Sequence, residues 1–265
     1  MDIGTAKPSR EQLSQVPHHL IDVAEPEESW SLARFKRAAD VAIVQVHERS
    51  RIPLLVGGTG QYVTAILEGW LPPPAAPDDS IRRKHERFAA ENGPRALHAL
   101  LEAVDPQSAE RIDPGNVRRV ARALEIYELT GTPSSMQRRA NPPDYPVLRL
   151  GLHLPRPELY SRIDERIDRM LERGLVEEVQ ALLDRGIELD HPPMSGIGYR
   201  QIGEYLSGEK TLEEAVSEMR RLTRQFVRRQ ANWFKADDPN IEWNEVSKDL
   251  PDLLTNRIQS WRLGD

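Results

Sequence analysis

The sequence predicts an α/β protein with a parallel-sheet core, a helical insertion domain and a helical C-terminal part. Three observations carry that reading. Ile52, Leu54, Leu55 and Val56 form a short apolar run entering a glycine turn, Gly57-Gly58-Thr59-Gly60, with a helix expected from near Tyr62. A run apolar on both faces suits a central parallel strand. A helical pattern precedes it as well, and strand–helix alternation favours a parallel sheet. Beyond it, amphipathic helical periodicity continues without any strand pattern, which marks an insertion.

Each element has its own signal. Ser31 is a cap for a helix to about Arg49, with Leu32, Phe35, Ala39, Ala42, Ile43 and Val46 inward. Leu71-Pro72-Pro73-Pro74-Ala75-Ala76-Pro77 reads as a stiff linker. Helices are expected over Ser80–Asn92 and Pro94–Val104. Asn116 caps another that stops at Gly131-Thr132-Pro133. Asn141-Pro142-Pro143 is a second break, and Val147–Leu154 alternates like a strand returning to the sheet. After Pro157 the pattern is helical to about Lys235, with Gly208 as a C-cap and Thr211-Leu212-Glu213-Glu214 as a capping box. The polar final residues are expected to be poorly ordered. This gives three parts: residues 1–73 as the first part of the core, 74–145 as the helical insertion, and 146–265 as a core strand with C-terminal helices.

Composition narrows the function classes. The chain has 265 residues, 29% of them charged, and a mean hydropathy of −0.59. No run of about 18 apolar residues exists, so no membrane-spanning helix is expected. The N-terminus lacks a basic-then-apolar signal, so a cytoplasmic location is expected. Without cysteine, disulfides, thiol catalysis and thiolate metal sites are excluded. The seven histidines show no metal-ligand spacing, and adjacent His18 and His19 read as structural. Net charge is −6, yet Met219–Lys235 holds six basic residues and no acidic one. The rest of the chain is therefore twice as negative as the whole. Such a body would steer a polyanion to one place and repel it elsewhere.

Three constellations could contact nucleic acid, and each has a plainer reading. Arg118, Arg119 and Arg122 lie on one helix, with Val117, Val120, Ala121 and Leu124 as its apolar stripe. They suit phosphate contacts, or else they form a solvated face paired with Glu125 or Glu128. Arg220, Arg224 and Arg228, with Arg221 and Arg229 beside them, suit tracking of a nucleic-acid backbone. Alternatively they pair with Glu213, Glu214 and Glu218. In Ser195-Gly196-Ile197-Gly198-Tyr199-Arg200, Tyr199 could stack on a base and Arg200 could reach a phosphate. Otherwise this is an interhelical turn with Tyr199 half-buried. Asp164, Glu165 and Asp168 resemble a catalytic cluster, but Arg162, Arg166 and Arg169 surround them. They read as i,i+4 pairs along one helix, with no catalytic role.

The glycine turn, the opening Met1-Asp2-Ile3-Gly4-Thr5-Ala6-Lys7-Pro8 and Pro17-His18-His19-Leu20-Ile21-Asp22 resemble the tRNA dimethylallyltransferase family. So do Arg118-Arg119-Val120-Ala121-Arg122-Ala123-Leu124-Glu125, Gly198-Tyr199-Arg200-Gln201, Thr223-Arg224-Gln225, Arg229-Gln230 and Trp233. The matches run in order through nearly the whole chain. The resemblance implies a P-loop-NTPase-like sheet of the nucleotide-binding (ATP-binding) kind. It implies transfer of a dimethylallyl group from dimethylallyl diphosphate to N6 of the adenosine just 3′ of the anticodon. Mg²⁺ would accompany the diphosphate, and the protein would be a monomer. The implied tRNA contacts, to the anticodon stem-loop, are Thr59, Arg82, Arg118, Arg119, Val120, Ala121, Arg122, Ser195, Gly196, Ile197, Gly198, Tyr199 and Arg200. Thr223, Arg224, Gln225, Arg228, Arg229 and Gln230 complete the set. The phrase through Met170, Gly174, Glu178 and Val179 also matches the family and reads as structural.

One departure stands out. The family's phosphate loop and the catalytic Asp that follows it have no match in these residues, so the sheet reads as N-terminally truncated. Near Gly203–Thr211 the lysine is one position late for such a loop. The expectation is therefore a chain with little activity alone. Two other readings stay open: prenylation of free adenine nucleotides, and a tRNA-binding protein without catalysis.

Overall fold

Helix starts fall where the sequence places caps. The computed structural model describes residues 1–28, 30–70, 78–136 and 140–264. Contacts divide the chain into two units. One comprises Met1–Ser31, Ala38–Val63 and Tyr145–Asp265; the other comprises Leu32–Arg37 and Thr64–Asp144. The elements are α1 (Arg10–Gln15), α2 (Leu32–Glu48), α3 (Gly60–Leu67), α4 (Asp79–Asn92), α5 (Pro94–Val104), α6 (Pro106–Arg111) and α7 (Val117–Thr130). Then come β1 (Leu150–His153), α8 (Arg156–Glu172), α9 (Leu175–Asp184), α10 (Tyr199–Leu206), α11 (Leu212–Gln230), β2 (Glu242–Glu245) and α12 (Leu250–Leu263). A short 3-10 turn, Pro192–Ser195, precedes α10.

In the helical unit the caps explain the boundaries. The Asp78 side chain accepts N–H bonds from Ser80 and Ile81 at the start of α4. Asn116 accepts from the Arg119 N–H, and Gly131 closes α7 in the left-handed region at φ 66°. Leu97, Leu101, Val120, Ala121, Ala123 and Leu124 interlock with Ala89 and Ala109 as the core. Two buried carboxylates are fully supplied with donors. Asp105, 1% exposed, accepts from the Ser108 and Ser135 N–H groups and from both the Ser134 and Ser135 hydroxyls. Burial alone would raise its pKa, but hydrogen bonds from Ser108 and Ser135 outweigh it and hold it at about 2. Glu125, fully buried, accepts from Arg82, Arg122 and the Asp78 N–H. The Asn141 N–H donates to the Gly69 carbonyl at 2.8 Å, and Trp70 bridges Ala140 in antiparallel fashion. Gly69 sits at φ 61°, and a Cβ there would lie 1.7 Å from the Asn141 oxygen, so only glycine allows this closure. The proline-rich stretch 71–77 lies outside the described residues, and the helical unit already includes Thr64–Trp70.

The other unit holds the sheet. β1 and β2 pair in parallel, Leu150 opposite Glu242 through His153 opposite Glu245. Its core joins α8, α9, α10 and α11 through Ile163, Ile167, Met170, Leu175, Val179, Leu182, Tyr199, Ile202 and Met219. Met1 and Ile3 pack against this cluster.

Two sequence expectations fail here. Ile52–Val56 is not a strand, and Leu54 is 69% and Val56 90% exposed. A central parallel strand is buried only between neighbouring strands, and none pairs with this run among the described residues. An apolar run cannot specify its partners. The C-terminus is also not disordered, since β2 and α12 occupy it. Its polar composition masked Trp243, which covers Gly151, and Leu250, which is buried.

Candidate nucleic-acid interface

Helix α11 carries five arginines, and its own sequence builds it. Thr211 and Glu214 form a reciprocal capping box, as expected. Acidic Glu213 and Glu214 occupy the first turn and basic Arg228 and Arg229 the last, which matches the helix dipole at both ends. Ala215 and Met219 are its buried residues.

The arginine stripe divides in two. Arg220 donates to Asp168 at 2.5 Å and Arg224 to Asp164 at 2.6 Å, tying α11 to α8. The Arg224 guanidinium also lies 5.2 Å from the Tyr160 ring centre. Arg221 pairs with Glu218 at 3.0 Å, the one pairing on this stripe that follows the plainer sequence reading. Asp164 and Asp168 therefore hold α11's arginines, not the arginines of their own helix. Arg228 and Arg229 are exposed and have no carboxylate partner among the described residues. Arg229 lies 5.9 Å from the Phe226 ring centre. Thr223 donates back to the Met219 carbonyl, and Gln225 is half-buried on the same helix.

The free end of α11 meets the glycine turn. Gln230 donates to the Gly58 carbonyl at 3.0 Å. A Cβ on Gly58 would lie 2.0 Å from the Gln230 amide nitrogen, and one on Gly60 would lie 2.1 Å from the Trp233 ring. The glycines thus let the turn press against this helix end. Thr59 is exposed, and its carbonyl accepts the Tyr62 and Val63 N–H groups, so it caps α3. Gln230 and Trp233 hold the turn that presents Thr59. Sequence reading placed Gln230 with tRNA and missed this role, which needs two segments 172 positions apart.

The loop 195–200 is half as expected. Arg200 is 59% exposed and pairs with Glu204 at 3.1 Å. Ser195 is exposed and donates to the Pro192 carbonyl. Gly196 and Ile197 are half-buried, and Gly198, at φ 105°, starts α10. Tyr199 is 2% exposed, so it is not a stacking platform. Its hydroxyl donates to Glu178 at 2.5 Å, and burial followed by that carboxylate pushes its pKa far up. Glu178, which reads as structural in the sequence, gathers four donors. Burial raises its pKa, but Tyr199 and the Ile3, Asp2 and Gly4 N–H groups outweigh this and lower it.

In the helical unit, Arg118 and Arg119 are exposed, without carboxylate partners among the described residues. Arg122 instead pairs with Glu125 at 2.6 Å, and Arg82 reaches the same carboxylate at 3.2 Å. Val120 and Ala121 are fully buried, so their side chains offer nothing to a ligand. Among the described residues, no group of three acidic or histidine side chains is placed to hold a metal ion. No helix among the described residues is long and apolar enough to cross a membrane.

Fold and site together define a mostly helical α/β protein that sets a cationic helix end against a glycine turn. A family model described as IPP transferase matches residues 1–237. The tRNA dimethylallyltransferase of Roseiflexus castenholzii is 51% identical over 254 residues, covering 96% of this chain and 82% of the relative. That of Chloroflexus aurantiacus is 50% identical over 256 residues, with 93% and 86% covered. Among solved structures, the tRNA isopentenylpyrophosphate transferase of Bacillus halodurans superposes with a TM-score of 0.69 at 40% identity, covering 100% of this chain and 84% of that one. A eukaryotic dimethylallyltransferase acting on tRNA gives 0.76 at 27% identity, with 97% and 66% covered. The chain belongs to the IPP transferase family. These relatives give no support to the expectation of an inactive chain.

Proposed function

We propose that this chain transfers a dimethylallyl group from dimethylallyl diphosphate to N6 of the adenosine just 3′ of the anticodon in tRNA. In this reaction the allylic C–O bond to diphosphate breaks and diphosphate leaves, the N6–C bond forms, and N6 gives up a proton to a general base. N6 is a poor nucleophile because its lone pair is delocalised into the ring, so precise placement of the base matters most. The target adenine sits in a stacked loop and must leave the stack to react.

The observation that carries the reading is the pairing of two free arginines, Arg228 and Arg229, with a turn that offers the Thr59 hydroxyl. Arginines without carboxylates suit phosphates, and a small exposed hydroxyl suits a base edge. Arg118 and Arg119 add a second unpaired pair in the helical unit. Such phosphate contacts would make binding weaken steeply with salt.

The test is to incubate the protein with dimethylallyl diphosphate and an unmodified anticodon stem-loop, then digest and analyse the nucleosides by mass. A gain of one five-carbon unit on the adenosine beside the anticodon is expected. Modification of free AMP with an untouched stem-loop would overturn the tRNA reading in favour of a nucleotide substrate.

A further inference from the structure

The Glu178 carboxylate in the α/β unit gathers four donors from two distant segments. The Glu178 oxygens accept the N–H groups of Asp2 at 2.8 Å, Ile3 at 2.9 Å and Gly4 at 3.2 Å. The same carboxylate accepts the Tyr199 hydroxyl at 2.5 Å. We propose that Glu178 is a positioning residue: it locks the Asp2–Gly4 turn to the Tyr199–Arg200 start of α10, so that Arg200 presents to substrate in one arrangement. This rests on the tRNA reading for what the substrate is.

The geometry goes beyond general stabilisation. Three successive backbone N–H groups converging on one carboxylate form an anion-binding concavity that holds the turn in shape. Gly4 is fitted to the same purpose, since a Cβ there would lie 2.5 Å from the Tyr199 ring. The turn is also held from its far side, where Lys7 binds Asp2 and Asp22. Glu178 itself is fixed because its helix buries Leu175, Val179 and Leu182. Tyr199 is buried in the core, and the next residue, Arg200, is exposed and pairs with Glu204. A displaced Tyr199 ring would therefore move Arg200. An apolar residue at 178 would leave three N–H donors unmatched.

The test compares Glu178→Ala, Glu178→Gln and Tyr199→Phe with Ser135→Ala, which loosens the unrelated Asp105 cluster. The first readout is amide hydrogen exchange without substrate. Glu178→Ala is expected to speed exchange about tenfold in both the 2–7 and 195–201 segments. Tyr199→Phe is expected to do the same more weakly, and it decides the matter should Glu178→Ala not fold. Glu178→Gln keeps an acceptor for Asp2 and Ile3 and should restore most of the protection. The second readout is stem-loop affinity, expected to fall about tenfold for Glu178→Ala, the loss of one charge-assisted hydrogen bond, and to hold for Ser135→Ala. Exchange that changes in only one segment, or in neither, overturns the coupling. Affinity unchanged in Glu178→Ala overturns the positioning role. A wild-type protein that ignores the stem-loop sinks the tRNA reading instead, and the exchange data still decide the coupling.

Discussion

Helices α7 and α11 solve one problem in opposite ways. Each carries a dense set of arginines, and each anchors some of them while leaving two free. In α7 the anchored Arg122 turns to a fully buried Glu125, which Arg82 shares, and the free pair Arg118 and Arg119 sits in the first turn. In α11 the anchors Arg220 and Arg224 reach half-exposed Asp164 and Asp168, and the free pair sits in the last turn. The helix dipole opposes cations at an N-terminus and favours them at a C-terminus. Arg228 and Arg229 therefore help their helix fold whether or not they bind anything. Arg118 and Arg119 sit where the dipole works against them, so helix stability does not account for them. An arginine pair beside the free N–H groups of a helix start is suited to a phosphate.

The anchors should break very differently. Glu125→Ala strands Arg82 and Arg122 around a buried vacancy and is expected to cost about 3 kcal/mol in chemical denaturation. Asp164→Ala exposes its arginines to water and should cost less than about 1 kcal/mol. Equal losses would show that burial does not distinguish the two anchors.

Acid should reach the helical unit through Asp105. Its folded pKa, about 2, lies below the ordinary 3.8. Its contribution is therefore complete above pH 4 and is lost as pH falls through about 2, amounting to about 2 kcal/mol. Ser135→Ala should flatten that part of the stability–pH profile, and an unchanged slope there would contradict the assignment.

Smallest of all is the dipole effect. Arg118→Ala should leave thermal stability unchanged or raise it slightly, whereas Arg229→Ala should lower it slightly. A scanning-calorimetry comparison giving both changes the same sign would remove the contrast between the two helix ends.

The helical unit was largely legible in the sequence because its signals are local. Asn116 and Gly131 bound α7 within one stretch of chain, and Val120, Ala121 and Leu124 fall at helical spacing. The capping box at Thr211 is equally local. The α/β unit depends on distant pairings that no window reveals. The run at Ile52–Val56 has strand composition, but composition does not name its neighbours. β2 pairs with a strand more than eighty positions earlier. The site divides in the same way. The arginines were visible as a charge pattern, but which ones are spent on carboxylates was not, since Asp164 and Arg224 are 60 positions apart. Stacking and burial stayed open for Tyr199, because nothing local announces the core cluster and the distant Glu178 and Gly4 that enclose it.

The most direct test of this division is the salt dependence of anticodon stem-loop binding. Arg228→Ala/Arg229→Ala is compared with Arg220→Ala/Arg224→Ala. The first pair should weaken binding and reduce the slope of log Kd against log salt by about 2, one for each lost phosphate contact. The second pair should leave the slope unchanged, because those arginines are committed to Asp168 and Asp164. Equal slopes for both variants would contradict the separation of anchoring from recognition along α11.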